Sequence, residues 1–156
     1  MRAVLPRALL ALVVLVVAAP ASLAAPQPAQ LESFVTLLHG DAVVPPVASR
    51  GAGVVSFLHV AGQPEISTSL GALVVGSITG AHLHLGEVGE NGPVVADVAV
   101  GQGRLTAADL RGPLAGADLD ALLELMRSGG VYVDVHTLRF PDGELRGQVF
   151  GRRGTG

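Results

Sequence analysis

The sequence predicts a mainly β protein: an antiparallel sandwich or barrel with one or two short helices between residues 105 and 128. Seven segments have the composition or alternation of strands, and turns rich in glycine, proline or asparagine separate most of them. Many short strands divided by turns are typical of antiparallel sandwiches and barrels. The predicted strands are Ser33–His39, Val54–Val60, Glu65–Val75, Ala81–Leu85, Pro93–Val100, Val131–Leu138 and Glu144–Phe150.

The N-terminal residues 1–24 have the pattern of a secretory signal peptide. Two arginines precede the apolar run Ala8–Ala19, and small residues follow it. We place the cleavage after Ala24, because cleavage one residue later would leave Pro26 at the new N-terminus. The alternative, a retained membrane anchor, needs about 20 apolar residues, and this run is much shorter. We therefore expect a secreted, periplasmic or cell-envelope protein with no membrane span after processing.

The rest of the chain has the size of one domain. Residues 25–32 are predicted to be a flexible lead, residues 33–150 the folded domain, and residues 151–156 a disordered tail. The formal net charge is −3, and the chain has no lysine and no long basic run, which disfavours nucleic-acid binding. Because there are no cysteines, any metal would be held by histidine, carboxylate or carbonyl ligands. The lysine-free, alanine- and valine-rich composition suggests a bacterial protein.

The first half of the chain is predicted to form strands, with one irregular segment between the first two. Gly40 ends the first strand, and Pro45 and Pro46 exclude the next segment from the middle of a sheet because proline lacks the backbone donor. The second strand then places Val55, Phe57 and His59 on one face. The third strand alternates at first and ends in an apolar run.

Helices are expected only between the fifth and sixth predicted strands. Thr106 and Asp109 look like an N-cap and a first-turn acid, and Gly112 and Pro113 stop that turn. A stronger helix is predicted over Asp118–Arg127, where apolar residues recur at helical spacing before a pair of glycines. Its apolar stripe should face the core: Leu119, Leu122, Leu123 and Met126.

The last two predicted strands form a hairpin. Valines alternate with Tyr132, Asp134 and His136 in the first of them, so these three side chains share a face. The turn around Pro141–Gly143 leaves the register open. One register places His136 opposite Gln148, and a change of one residue moves its partner to Val149.

Two histidines lie two residues apart in the fourth predicted strand, within Ala81–Leu85. His82 and His84 therefore point to the same side, and the adjacent leucines point to the other. The segment Gly86–Gly92 contains three glycines and an Asn-Gly pair, which predicts a hairpin with a longish loop.

Several segments together resemble the CHRD domain family, which includes the repeats of chordin and many exported bacterial proteins. They are VVPPV at 43–47, AHLHLGEVGENGPVV at 81–95, LTAADL at 105–110, VYVDVHT at 131–137 and FPDGELRGQV at 140–149. The resemblance covers about Phe34 to Val149 and implies an immunoglobulin-like or superoxide-dismutase-like β sandwich. It implies no established activity, although chordin itself is an extracellular growth-factor antagonist. Two positions depart from the family: Val43 replaces the usual Glu, and Asp134 stands where Asn is common.

The three histidines of these motifs, His82, His84 and His136, are the candidate metal ligands. Imidazole nitrogen suits copper and zinc, and a His-x-His pair with one distant histidine is a common ligand set. Glu144, Arg146 and Gln148 alternate onto the predicted face of His136 and are candidates for a supporting shell. Alternatively, the histidines are members of a purely structural polar cluster with these three residues. His39 and His59 lack a partner motif and are expected at the surface or core edge.

The sequence contains no catalytic signature. We therefore predict a secreted CHRD-domain binding module that holds copper or zinc on the three-histidine face or binds an unknown extracellular protein. The alternatives are a redox or hydrolytic metalloenzyme on the same face and a purely structural cell-surface domain.

Overall fold

Eight antiparallel strands carry the alternating apolar side chains, as shown by a computed structural model that describes residues 30–74 and 76–151. The predicted signal peptide lies outside the described residues, as do most of the predicted lead and tail. In chain order the strands are β1 Leu31–His39, β2 Ala52–Val60, β3 Glu65–Leu73, β4 Ile78–Leu85, β5 Val94–Asp97, β6 Gly101–Thr106, β7 Val131–Thr137 and β8 Leu145–Val149.

These strands form one sheet in the order β5-β4-β7-β8-β1-β2-β3-β6. The two end strands, β5 and β6, are joined by residues 98–100 alone, and such a short link spans at most about 14 Å. The sheet must therefore curl until its ends approach each other, which makes it nearly closed. The predicted mainly antiparallel β class is confirmed, and the more specific immunoglobulin-like or superoxide-dismutase-like fold stays a prediction.

The strand β6 is missing from the sequence prediction, which assigned residues 93–100 to a longer fifth strand. The segment GQGRLT contains two glycines and only one large apolar residue, Leu105, so it has no clear alternation. It is a strand because all six residues pair with β3, from Glu65↔Thr106 to Leu70↔Gly101. At the other end of the chain, β1 begins at Leu31, inside the predicted lead.

One α-helix, α1 (Leu119–Ser128), lies where the sequence predicts the stronger helix. The carboxylate of Asp118 accepts a hydrogen bond from the backbone N–H of Ala121, and Gly129 ends the helix in the left-handed conformation. Three members of the apolar stripe are fully buried, which confirms that it faces the core: Leu122, Leu123 and Met126.

Short 3-10 helices occupy Gly40–Ala42, Ala107–Asp109 and Gly112–Leu114. In the described parts of the chain, no helix has the length and apolar character needed to cross a bilayer.

Strand β7 is buried on both faces. Its valines enter the core, as the alternation predicts, but Tyr132 and Asp134 on the other face are only 3% and 8% exposed. The covering segment is the loop after β4, where the backbone N–H of Gly92 donates to the Tyr132 hydroxyl. Tyr132 and Asp134 on the polar face of β7 are therefore buried, and their polar atoms need hydrogen-bond or charge partners.

The β7–β8 register differs from both registers that the sequence left open. Tyr132 pairs with Gln148 and Asp134 with Arg146, so neither Gln148 nor Val149 lies opposite His136. The connection is longer than a tight turn, because the ladder closes at Val135↔Leu145 and the backbone N–H of Glu144 donates to Val135.

We expect the ion pair of Glu32 with Arg127 to stabilise the fold at neutral pH. It ties β1 to α1 through Nε–Oε2 and Nη2–Oε1 contacts of 2.8 and 2.6 Å, and the hydrogen bond from Arg127 lowers the pKa of Glu32. Because both side chains are about one-third exposed, Glu32→Gln should lower the free energy of unfolding by only about 0.5 kcal/mol at pH 7. This stabilisation is present above the ordinary glutamate pKa and should disappear as the pH falls through the lower folded-state pKa.

Urea denaturation at pH 7 and at pH 3 measures this difference. The exposed loop variant Glu90→Gln is the matched control and should match the wild type at both pH values. A deficit of Glu32→Gln that persists unchanged at pH 3 would contradict the ionic origin.

Candidate metal site

Strand pairing places the predicted histidines around a single carboxylate. In the β4–β7 ladder, His82 lies opposite Asp134, His84 opposite Tyr132, and Gly80 opposite His136. Side chains directly across and diagonally across neighbouring strands share a face and touch. Because Gly80 has no side chain, the ring of His82 can occupy the space beside His136. The centroids of the two rings are 4.9 Å apart.

His82, His84, Asp134 and His136 each offer one ligand atom, and these four atoms lie within 4.8 Å of one another. Two nitrogen ligands of a tetrahedral zinc ion, each at 2.0–2.1 Å, are about 3.4 Å apart. Closing the group around an ion therefore needs the most distant pair of ligand atoms to approach by about an ångström. The group is half-buried at the histidines and buried at Asp134.

Backbone carbonyls fix the orientation of two of the imidazoles. His84 Nδ1 is 2.8 Å from the carbonyl oxygen of Gly92, and His136 Nδ1 is 2.7 Å from that of Pro141. Since a carbonyl oxygen can only accept, each Nδ1 carries the proton. In the neutral rings, Nε2 therefore presents a lone pair, which is the form that ligates a metal.

The two Nε2 atoms converge on the same oxygen. Both lie 3.1 Å from Asp134 Oδ2, yet neither makes a hydrogen bond, and buried Asp134 Oδ1 makes none either. Lone pairs of neutral imidazoles and of a carboxylate repel one another at this distance. A cation between these atoms, either a proton or a metal ion, would relieve this repulsion.

The pKa values of Asp134, His136 and His82 are shifted by the charges that these groups place close together. Burial alone raises the pKa of Asp134, but the facing imidazoles of His136 and His84 outweigh burial and lower it to about 2. Pairing with Asp134 raises the pKa of His136, against the opposing effect of burial. Burial lowers the pKa of His82, although Asp134 acts in the other direction. Without a metal, the neighbouring carboxylate thus favours the protonated form of His136 more than that of a free imidazole.

His82 lies between two carboxylates. Its Nδ1 is 3.6 Å from Asp134 Oδ1, and its Nε2 is 3.6 Å from Asp97 Oδ1 at the end of β5. The exposed Asp97 is itself bound by Arg111 at 2.7 Å. One nitrogen of His82 therefore faces the centre of the group while the other faces the sheet edge.

A known protein family matches the part of the chain that contains this site. The sequence model of the family described as CHRD domain matches residues 34–149. The chain belongs to the CHRD domain family. No curated protein and no solved structure gives a significant match.

The three residues predicted to support the histidines take different places in this CHRD domain. Gln148 Nε2 lies within hydrogen-bond distance of the carbonyls of Gly86, Gly129 and Val131 and so anchors the start of the covering loop. Arg146 donates to Asn91 and to the carbonyl of Glu87 in the same loop.

The carboxylate of Glu144 lies elsewhere, where it accepts hydrogen bonds from the Ser49 and Thr137 hydroxyls. The two remaining histidines lie apart from the group. His39 is exposed on β1, and His59 is buried on β2 with its Nδ1 near the carbonyl of Glu65.

Asp134 is not among the metal ligands that the sequence predicts, although a signal for including it was present. Alternation along Tyr132, Asp134 and His136 already placed this carboxylate on the face of the third histidine. An open cleft of about 300 Å³ adjoins the group and is lined by Val43, His84, Tyr132, Asp134, His136 and Arg146, among others. Val43 and Asp134, the two positions at which the resemblance predicts a departure from the family pattern, both line this cleft.

We expect Gly92→Ala to disturb the site through the backbone. A Cβ at residue 92 would overlap the carbonyl oxygen of Leu85, so the loop that supplies the acceptor for His84 must move. The free energy of unfolding should fall by at least about 2 kcal/mol. Urea denaturation measures this loss, and the ¹⁵N chemical shift of His84 Nδ1 should report the lost hydrogen bond.

Gly71→Ala in β3 is the control, because no atom lies within 4 Å of its added Cβ. If both variants were as stable as the wild type, the close approach at Gly92 would not matter to the fold.

Proposed function

We propose that this chain is an exported CHRD domain that binds one transition metal ion, copper or zinc, through His82, His84, His136 and Asp134. The observation that carries the proposal is the convergence of the imidazole Nε2 lone pairs of His84 and His136 on Asp134 Oδ2, with each Nδ1 already donating to a carbonyl. Such a pattern matches a ligand set whose outer hydrogen bonds hold each ring in position.

The donor types favour copper or zinc over the hard cations. Three imidazoles and one carboxylate form a nitrogen-rich set with a charge of about −1, whereas calcium and magnesium prefer oxygen ligands. A divalent ion would satisfy the lone pairs and exceed the carboxylate charge by one unit. The ion would replace the proton that the pKa of His136 favours in its absence.

Export is the second part of the proposal and depends on the N-terminal sequence. The arginines and apolar run of residues 1–24 have the order of a signal peptide. A cysteine-free ligand set also suits an oxidising compartment, because imidazole and carboxylate do not form disulfides there.

The cleft beside the group favours a second candidate, a metalloenzyme, because it would give a small molecule access to the bound ion. Turnover by the metal-loaded protein, in redox or hydrolytic assays, separates this candidate from a binding module.

We expect the purified domain to take up one equivalent of copper or zinc. His82→Ala, Asp134→Asn and His136→Ala each remove one ligand and should each weaken binding by about 10- to 100-fold or more. Isothermal titration calorimetry gives the stoichiometry and affinity, and dialysis with elemental analysis confirms the count.

The matched control is His39→Ala, which removes an exposed histidine outside the group. It should bind the ion like the wild type. Absence of binding at micromolar metal, or equal binding by His82→Ala and wild type, would refute the metal site.

We also expect metal to stabilise the fold. An ion that binds only the native state, at a free concentration 100 times its Kd, raises the free energy of unfolding by about 2.7 kcal/mol. The thermal midpoint of the wild type should therefore rise with added zinc, and that of a double variant, His84→Ala with His136→Ala, should not. Equal midpoints with and without zinc in the wild type would favour the purely structural alternative for these histidines.

A further inference from the structure

The cleft contains a second charged group that the metal site does not use. Arg146 on β8 is only 3% exposed, and burial lowers its pKa. Buried guanidinium groups are normally paired with carboxylates. This one instead donates to neutral oxygens, Asn91 Oδ1 at 3.2 Å and the carbonyl of Glu87 at 3.0 Å, and its Cζ lies 3.4 Å from the centre of the Tyr132 ring.

The carboxylate opposite Arg146 in the ladder, that of Asp134, is directed elsewhere. Asp134 pairs with Arg146 in the β7–β8 register, but both of its oxygens face imidazoles and none forms an ion pair with the guanidinium. Within the described residues, Arg146 has no carboxylate partner at ion-pair distance. Its positive charge is therefore offset by dipoles, by the π-face of Tyr132 and by the more distant charge of Asp134, and not by a direct ion pair.

The charges of the cleft favour an anion. A divalent ion and Arg146 contribute three positive charges, whereas Asp134 and the exposed rim residue Asp142 contribute two negative ones. The remaining positive charge lies in a partly desolvated space, where an anion is bound more strongly than at an open surface.

The shape of the donors favours a carboxylate among anions. A guanidinium presents five N–H groups in a planar fork that matches the two oxygens of a carboxylate. Nη1 and Nη2 each make one hydrogen bond, so three N–H groups are not engaged by any described residue. The cleft of about 300 Å³ is at the small end of ligand pockets, which suits a small acid or one acidic side chain.

From these observations we infer that the cleft binds a carboxylate group that contacts both the metal ion and the guanidinium of Arg146. The inference rests on the proposed metal site and names the class of ligand that this site accepts. The carboxylate can belong to a free small acid or to an acidic side chain of a protein partner, since both present the same two oxygens.

The test uses the domain loaded with one equivalent of Cu(II), whose electron paramagnetic resonance spectrum responds to ligands. Titration with acetate should change the copper hyperfine splitting until the change saturates. Titration with its neutral isostere acetamide should leave the splitting unchanged. In Arg146→Gln the apparent Kd for acetate should rise at least about tenfold. Arg146→Lys keeps the positive charge but lacks the planar fork of N–H groups. Its apparent Kd for acetate should lie between those of the wild type and Arg146→Gln.

Arg104→Gln is the matched control, because it removes one positive charge at an exposed position of β6, and it should behave like the wild type. The apparent Kd values of acetate and of a capped peptide with a single aspartate are then compared in the wild type. Tighter binding of acetate points to a free acid, and tighter binding of the peptide points to a protein-borne carboxylate. Both results support the inference.

The failures are distinguishable. If Cu(II) does not bind, the proposed metal site and this inference both fall. If Cu(II) binds but acetate changes nothing, or acetate and acetamide act alike, only the inference is overturned, and this comparison needs the wild type alone. Equal acetate binding by Arg146→Gln, Arg146→Lys and wild type, or saturation by inorganic phosphate but not by acetate, overturns it as well.

Discussion

The site depends on one constraint: β7 is covered on both faces. A half-exposed strand can leave its polar side chains to water, but Tyr132 and Asp134 are buried, and the loop that follows β4 contacts Tyr132. The buried polar atoms on this face must therefore find partners in protein, ligand or ordered water. The Tyr132 hydroxyl accepts a hydrogen bond from the backbone N–H of Gly92, whereas the carboxylate of Asp134 lies against imidazole nitrogens. The buried carboxylate of Asp134 therefore needs a compensating positive charge.

The covering loop and the candidate ligands are held by the same set of contacts. Arg146 and Gln148 secure the loop backbone, and the loop in turn supplies the carbonyl of Gly92 that orients His84. The second carbonyl, from Pro141, belongs to the β7–β8 connection. Two separate connections thus fix the rings from outside, so their orientation does not depend on an ion.

Much of the fold was predictable, because alternation and turn residues are local signals. The helix Leu119–Ser128 and most strands follow from periodicity and capping. Strand β6 was not predictable from its own residues, because its glycine-containing segment is a strand only through pairing with β3. The β7–β8 register was missed because the length of the connection, rather than the hydrophobic pattern, determines it.

The site was predictable only in part. Faces of strands are local, so His82 and His84 could be placed together, and His136 could be placed with Asp134. That these two pairs meet depends on the β4–β7 ladder, which joins segments distant in sequence. The roles of Arg146 and Gln148 depend on where the loop lies, which no local pattern encodes.

The pairing of β4 with β7 also bears on how the chain is held together. The chain has no cysteine and so no disulfide, and its candidate metal ligands come from two segments about 50 residues apart. An ion held by both segments would act as a removable cross-link, and closing a loop of that size restricts the unfolded chain by up to about 4 kcal/mol in the chain-entropy view. Mechanical or thermal resistance of this domain would then vary with the metal content of its surroundings, as that of a disulfide-bonded domain varies with redox conditions.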